Sequence, residues 1–235
     1  MDAIILAAGL GTRLRPHTLT IPKPLLLIRG RPILDWILGA LPRSVDRLVV
    51  VVHYLAEQME DYLRRQTHFA EWTTVPQGEP RGTGDAFRCC REHLRSDRFL
   101  VLNGDDLLGA ADLAALASCP AGVLVHPVDN PGAFGIAFLN PDGTLDRLRE
   151  KPTDLHGRHL ANTGAYVFPR EVFQTELKKS ERGEYEITDY VTALAARRPV
   201  SVVQAKFWLP IGTVEVWQKA QEMELEPLLT SAGGR

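Results

Sequence analysis

Gly9-Leu-Gly-Thr-Arg13 follows directly on the apolar run Ala3-Ile-Ile-Leu-Ala-Ala8. Glycines let a chain leave a strand at positive φ and turn successive N–H groups toward an anion, and a nearby arginine adds a fixed charge with a fork of donors. On their own, these residues fit a tight strand-to-loop turn as well as they fit a polyphosphate cradle. The spacing is neither G-x-x-x-x-G-K-[ST] nor a full G-x-G-x-x-G, which argues against kinase-type and dinucleotide readings. Lys23 sits between two prolines in Ile21-Pro-Lys-Pro-Leu25. An extended backbone is expected there, which restricts where the ammonium can go and suits a phosphate, a solvated loop lysine being the alternative.

Three further stretches could contribute. Leu100-Val-Leu-Asn-Gly-Asp105-Asp106 is an apolar strand ending in acids, at the position where open α/β sheets bind ligands and where a hard cation such as Mg²⁺ finds oxygen. In Gln77-Gly-Glu-Pro-Arg-Gly-Thr-Gly-Asp85, the glutamine amide can donate and accept. It could therefore read the O4 and N3–H edge of uracil or thymine together with a backbone group. Asp85 fits the first turn of the following helix, where it favours the dipole. Downstream, Asn130–Gly135, Leu148–Pro152, Ala161–Gly164 and Arg182–Asp189 supply carboxylate, amide and cationic groups suited to hydroxyls and a phosphate.

The order L-A-A-G-x-G-T-R-L-R-P followed by P-K-P resembles the sugar-1-phosphate nucleotidylyltransferases, or NDP-sugar pyrophosphorylases, of the uridylyl/thymidylyl branch. The resemblance extends over about residues 1–220 and is densest in the first 110. It implies that Ala8, Gly9, Gly11, Thr12, Arg13 and Lys23 meet the nucleotide's phosphates and that Gln77, Gly82 and Thr83 contact the base. It further implies that Gly135, Glu150 and Asn162 hold the sugar phosphate, that Lys151 pairs with its phosphate, and that Asp105 binds Mg²⁺. The implied reaction is in-line attack of a sugar-1-phosphate on the α-phosphorus of UTP or dTTP, with Arg13, Lys23 and Lys151 as the catalytic cations. Uridylyl transfer to a glucose- or N-acetylglucosamine-type phosphate is the first expectation. Thymidylyl transfer to glucose-1-phosphate is the alternative, through the R-G-E-Y-E-I-T-D segment. Family members are often oligomeric, so a homo-oligomer belongs to the same expectation.

One departure stands out. Family members commonly carry a second metal-ligating acid or amide in a W-x-D-x-G-T type segment, whereas this chain has Trp208-Leu-Pro210-Ile-Gly-Thr213. Proline has no side-chain oxygen. Mg²⁺ is expected on Asp105, phosphates and waters, since it needs only one or two carboxylates; Asp106 or Asp189 as substitutes, or weakened activity, are the alternatives. The rival of another class is a non-catalytic nucleotide-sugar-binding regulatory module.

The elements that must position these residues follow from apolar patterning. Ala3–Ala8, Leu48–His53 and Phe99–Asn103 read as strands covered on both faces, alternating with helical patterns over Pro32–Leu41, Ala56–Gln66 and Gly84–Leu94. Looser strands are expected near 122–127, 134–139, 145–149 and 162–168, then a helix over 187–196, a strand over 200–205 and a helix over 214–225. The fold class is α/β: a Rossmann-like, mainly parallel mixed sheet flanked by helices, with a smaller sugar-binding lobe. Residues 1–225 read as one domain, with a nucleotide part to about 110, a sugar-phosphate part from 111, and a tail over 226–235.

Composition limits the setting. Among 235 residues, 29 acids against 27 bases give a net charge of −2, which lacks the basic field that nucleic-acid binding needs. Cys89, Cys90 and Cys119 are odd in number and have no C-x-x-C spacing, which argues against zinc and disulfides and for a reducing cytoplasm. No apolar run is long enough to span a membrane and no leader pattern opens the chain. At this length the repeat-rich acyltransferase domain that some relatives append is not expected.

Overall fold

A computed structural model of the chain describes residues 1–180 and 182–230. The apolar runs form the parallel centre of a nine-stranded mixed sheet. Its first strand is β1 (Asp2–Leu6), followed by a two-residue ladder of β2 (Leu27–Ile28) and β3 (Arg31–Pro32) that leads into α1 (Ile33–Ala40). Then come β4 (Arg47–Val52), α2 (Ala56–Arg65), β5 (Glu71–Pro76), α3 (Thr83–Cys89) and β6 (Arg98–Asn103). β1 pairs in parallel with β4 and β6, and β4 with β5. Because Leu6 is in register with Val51 and Asn103, these strands end at one edge. The loops after them therefore converge, which is the usual ligand edge of an open α/β sheet.

The second half is more mixed. β7 (Asp106–Leu108) and α4 (Ala110–Ser118) precede β8 (Gly122–Val128), β9 (Gly135–Leu139), β10 (Leu145–Glu150) and the long β11 (His159–Pro169). β11 runs antiparallel to β6 on one side and to β8 and β9 on the other, and β9 carries β10 at the sheet edge. α5 (Ile187–Ala195), β12 (Ser201–Gln204), β13 (Trp208–Pro210), α6 (Val214–Ala220) and α7 (Glu226–Leu229) follow. β12 adds in parallel to β8, and among the described residues β13 pairs only with β7.

Alternation along the central strands explains the two cores. Ala3, Ile5, Leu48, Val50, Leu100 and Leu102 face α1, α4 and α7, while Ile4, Val49, Val51, Phe99 and Val101 face α3 and α5. On the second face Phe87 stacks on Phe173 at 4.7 Å and meets Tyr190 edge-on at 5.3 Å. That contact anchors the N-terminus of α3 beside the cleft. The expected mixed, mainly parallel sheet is present, with two local corrections. Lys23 is not in extended chain: Lys23–Leu25 is a 3₁₀ turn closed by the Leu26 N–H on the Lys23 carbonyl at 3.1 Å. The tail does not start at 226, because α7 buries Leu229 against the core; residues 231–235 lie outside the described residues. Among the described residues no helix is long and apolar enough to cross a membrane.

Candidate functional site

The convergent loops enclose a first cleft of about 330 Å³, lined by Ala8, Gly9, Lys23, Gln77, Gly82, Thr83 and Asp105 among others. Gly11 and Thr12 do not line it. Gly11 takes a left-handed conformation (φ 61°) that opens the 3₁₀ turn Thr12–Leu14, and its carbonyl accepts from the Thr18 hydroxyl at 2.8 Å. A methyl group there would approach Thr18 to 2.9 Å, so this position needs glycine to make the bend. Gly82 is needed for a similar reason. At φ +107° a Cβ would fall 2.4 Å from the Tyr185 carbonyl oxygen, so the loop rests directly on the segment before α5. The Thr83 hydroxyl accepts from the Ile187 N–H at 3.1 Å and ties the starts of α3 and α5 together.

Gln77 is 4% exposed and its amide nitrogen donates to the Gly82 carbonyl and to Asp85, each at 3.2 Å. Asp85 is buried beneath it and accepts from Arg81 and Arg88. The hold of Asp85 on Gln77 is not evident in the sequence, although arginines four residues before and three after a helical acid are a legible ion-pair pattern.

Asp105 lines the first cleft and also a second one of about 460 Å³, so the two adjoin there. Its carboxylate is paired with the Lys23 ammonium, which is otherwise buried. Its neighbour Asp106 turns away: one oxygen accepts from Asn103 Nδ2 at 2.9 Å and the other from Trp208 Nε1 at 3.0 Å. Burial, and then the charge of Asp105, raise the Asp106 pKa to about 7. Trp208 thus has a polar task that its indole N–H could have signalled. Pro210 stands opposite Asp106 in the β7–β13 pair and lines the second cleft without offering an oxygen.

Among the described residues no cluster of three His, Cys, Asp or Glu side chains could cage a metal. Asp105 and Glu184 are the carboxylates that line both clefts, and a carboxylate at such a junction fits Mg²⁺, which keeps waters and takes phosphate oxygens rather than a full protein cage. Of the two adjacent acids, Asp105 is the one that lines both clefts, while both Asp106 oxygens already accept hydrogen bonds.

The second cleft brings together Arg13, Gly135, Glu150, Lys151 and Asn162. Gly135 lets the Glu150 carboxylate approach its backbone, since a Cβ would lie 2.9 Å from Glu150 Oε2. Burial, and then the charge of Glu186, raise the Glu150 pKa, while Lys151 and Arg182 oppose the shift. Asn162 donates to the Tyr166 hydroxyl at 2.6 Å and accepts from the Gly164 N–H at 3.1 Å, which fixes its amide. Arg182, part of a segment expected to hold the sugar phosphate, also lines this cleft and reaches Glu186 at 3.5 Å. Asp189 lies in the first turn of α5 and is not among the residues lining either cleft. Among the described residues, Arg13 and Lys151 have no acidic partner within ion-pair distance, which leaves two uncompensated cations facing the space beyond Asp105.

The model of the nucleotidyl transferase family matches residues 2–226. The chain is 34% identical to the bifunctional protein GlmU of Methanocaldococcus jannaschii, over all of this chain and 57% of that protein. It spans about half the length of the GlmU relatives it matches. It is 30% identical to the UTP–glucose-1-phosphate uridylyltransferase AglF of Haloferax volcanii, covering 94% of this chain and 96% of that one. A crystal structure of UDP-glucose pyrophosphorylase complexed with UDP-glucose superposes with a TM-score of 0.82, over 94% of this chain and 97% of that one, at 22% identity. That likeness shows a shared fold. With a family model matched from the first strand to the last helix, and cations and a carboxylate arranged along two joined clefts, the chain belongs to the nucleotidyl transferase family.

Proposed function

We propose that the chain transfers a nucleotidyl group from a pyrimidine nucleoside triphosphate to a sugar-1-phosphate, releasing pyrophosphate. The observation that carries the proposal is that the two clefts adjoin at Asp105, with Arg13 and Lys151 lining the second and, among the described residues, without an acidic partner. The first cleft takes the base at Gln77 and the triphosphate along Ala8–Gly9 and Lys23; the second takes the sugar at Glu150 and Asn162 and its phosphate at Lys151. The attacking phosphate is already anionic, so no general base is required. The protein's share is alignment and offset of charge by Arg13, Lys23 and Lys151. Asp105 would hold Mg²⁺, which supplies charge neutralisation between phosphate oxygens when bound.

UTP with a glucose- or N-acetylglucosamine-type phosphate is the proposed pair. The curated uridylyltransferase relative and the amide of Gln77 in the base cleft support it. A cytoplasmic setting accords with three unbridged cysteines. The test is pyrophosphate release from UTP, dTTP, CTP and GTP against a panel of sugar-1-phosphates with Mg²⁺. Turnover with UTP and one hexose phosphate is expected. Binding of UDP-sugars without turnover of any pair would instead make the chain a binding module.

A further inference from the structure

The amide of Gln77 can present only one of its two faces to a ligand, and the structure shows which. Both atoms facing its nitrogen, Gly82 O and Asp85 Oδ2, are acceptors, each 3.2 Å away. Both N–H bonds are therefore used inward, and the amide cannot be turned over without setting oxygen against oxygen. Only Oε1, an acceptor, is left for the cleft. The Asp85 carboxylate, 1% exposed, offers acceptors only, and its orientation is held. Its Oδ1 accepts from Arg88 at 2.7 Å and from Arg81 at 3.2 Å, and Arg81 Nε reaches Oδ2 at 3.4 Å.

We infer that Asp85 is a positioning residue for base selection: by fixing the polarity of Gln77, it restricts the first cleft to bases that present a ring N–H donor and excludes those that present a bare ring nitrogen. The inference rests on the proposed use of this cleft for a nucleotide base. Uracil and thymine carry the donor at N3; cytosine carries a lone pair at the same place, which would face the Oε1 lone pairs with no proton between them. A site built to hydrogen-bond one group rejects an analogue that lacks it, because the buried polar group is left unpaired.

Asp85→Asn removes one of the two acceptors that hold the amide: with its oxygen kept toward Arg81 and Arg88, the asparagine sets N–H against the Gln77 nitrogen while the Gly82 carbonyl still favours the wild-type orientation, so both orientations of Gln77 become accessible and one of them can donate to N3 of cytosine. The experiment measures dissociation constants for UTP and CTP, and kcat and KM with each, for the wild type, Asp85→Asn and Asp85→Ala. Melting by circular dichroism checks the fold of each variant. In the wild type the preference for UTP over CTP is expected to be about 100-fold or more. In Asp85→Asn it is expected to fall by about tenfold or more, through tighter CTP and weaker UTP binding and with the change carried in KM rather than kcat. Asp85→Ala, which leaves the Gly82 carbonyl as the inward acceptor of the amide, should relax the preference without reversing it. A folded Asp85→Asn or Asp85→Ala protein with the wild-type UTP/CTP ratio overturns the inference, as does a wild type that binds the two equally. In either case the proposed reaction stands as long as turnover is seen, whereas failure of the wild type to bind any nucleoside triphosphate removes both.

Discussion

The Lys23 ammonium donates to the Asp105 carboxylate across the floor of the joined clefts, linking residues 82 apart in the chain. The pair brings the cation expected to meet phosphate against the acid expected to hold a metal. Asp105→Ala should leave a buried ammonium without its partner, at a cost of about 1–3 kcal/mol in the free protein. Added UTP should recover part of that loss in a thermal-shift assay, because the triphosphate supplies new acceptors. Turnover should fall by about 100-fold or more. Chelation of divalent ions should abolish wild-type turnover, and Mg²⁺ should restore it.

Gly82 should not tolerate a side chain. A methyl group would sit 2.4 Å from the Tyr185 carbonyl oxygen at a φ of +107°, so Gly82→Ala is expected to cost about 2–4 kcal/mol. Denaturant unfolding measures the loss. The displaced loop also carries an acceptor for Gln77, so KM for the nucleotide should rise even where the variant remains folded.

Glu150 lies on the far side of the junction, where its carboxylate approaches the backbone of Gly135. In Glu150→Gln the KM for the sugar phosphate should rise by about tenfold while the KM for the nucleotide is unchanged, the signature of lost binding on one side only. Initial-rate kinetics with each substrate varied in turn make the comparison. Equal rises in both constants would contradict the division of the cleft.

Away from the site, Asp35 gives a prediction for stability. Hydrogen bonding from His68 is the largest influence holding its carboxyl well below the usual 3.8; burial opposes this, and Arg31 and Tyr62 add to the lowering. A folded-state pKa below the unfolded one means that the unfolded chain takes up the proton first, so the contribution is present above the unfolded value and lost as pH falls. The wild type should therefore lose melting temperature more steeply than Asp35→Asn between about pH 5 and pH 2. Thermal melts of the two proteins across that range give the slopes.

The central strands were legible because β1, β4 and β6 are buried on both faces and read as unbroken apolar runs. β5 did not announce itself: it is the sheet-edge strand, and Glu71-Trp-Thr-Thr is largely half-exposed. β7 and β13 are three residues each and exist through pairing between residues 100 to 104 apart in the chain, which no local pattern records. α4 is alanine-rich, with only Leu113 and Leu116 as large apolar residues against the core, too few to make a strong stripe. At the site, Lys23, Gln77, Gly82 and Asp105 come together as the motifs led one to expect. Gly11 and Thr12 shape the loop without lining the cleft, because the left-handed glycine that turns the chain directs it away. The tasks of Asp85 and Trp208 escaped the sequence reading, since each depends on a partner brought in by folding.

β11 is hydrogen-bonded to β6 along one edge and to β8 and β9 along the other, so a single strand spans both halves of the molecule. Asn162, on that strand, and Asp105, just past the end of β6, are consequently held in one mesh of backbone bonds. A molecule built this way works as a jig rather than a jaw. The separation between its two seats is cut into the sheet, and any rearrangement that accompanies turnover has to be confined to the loops above it.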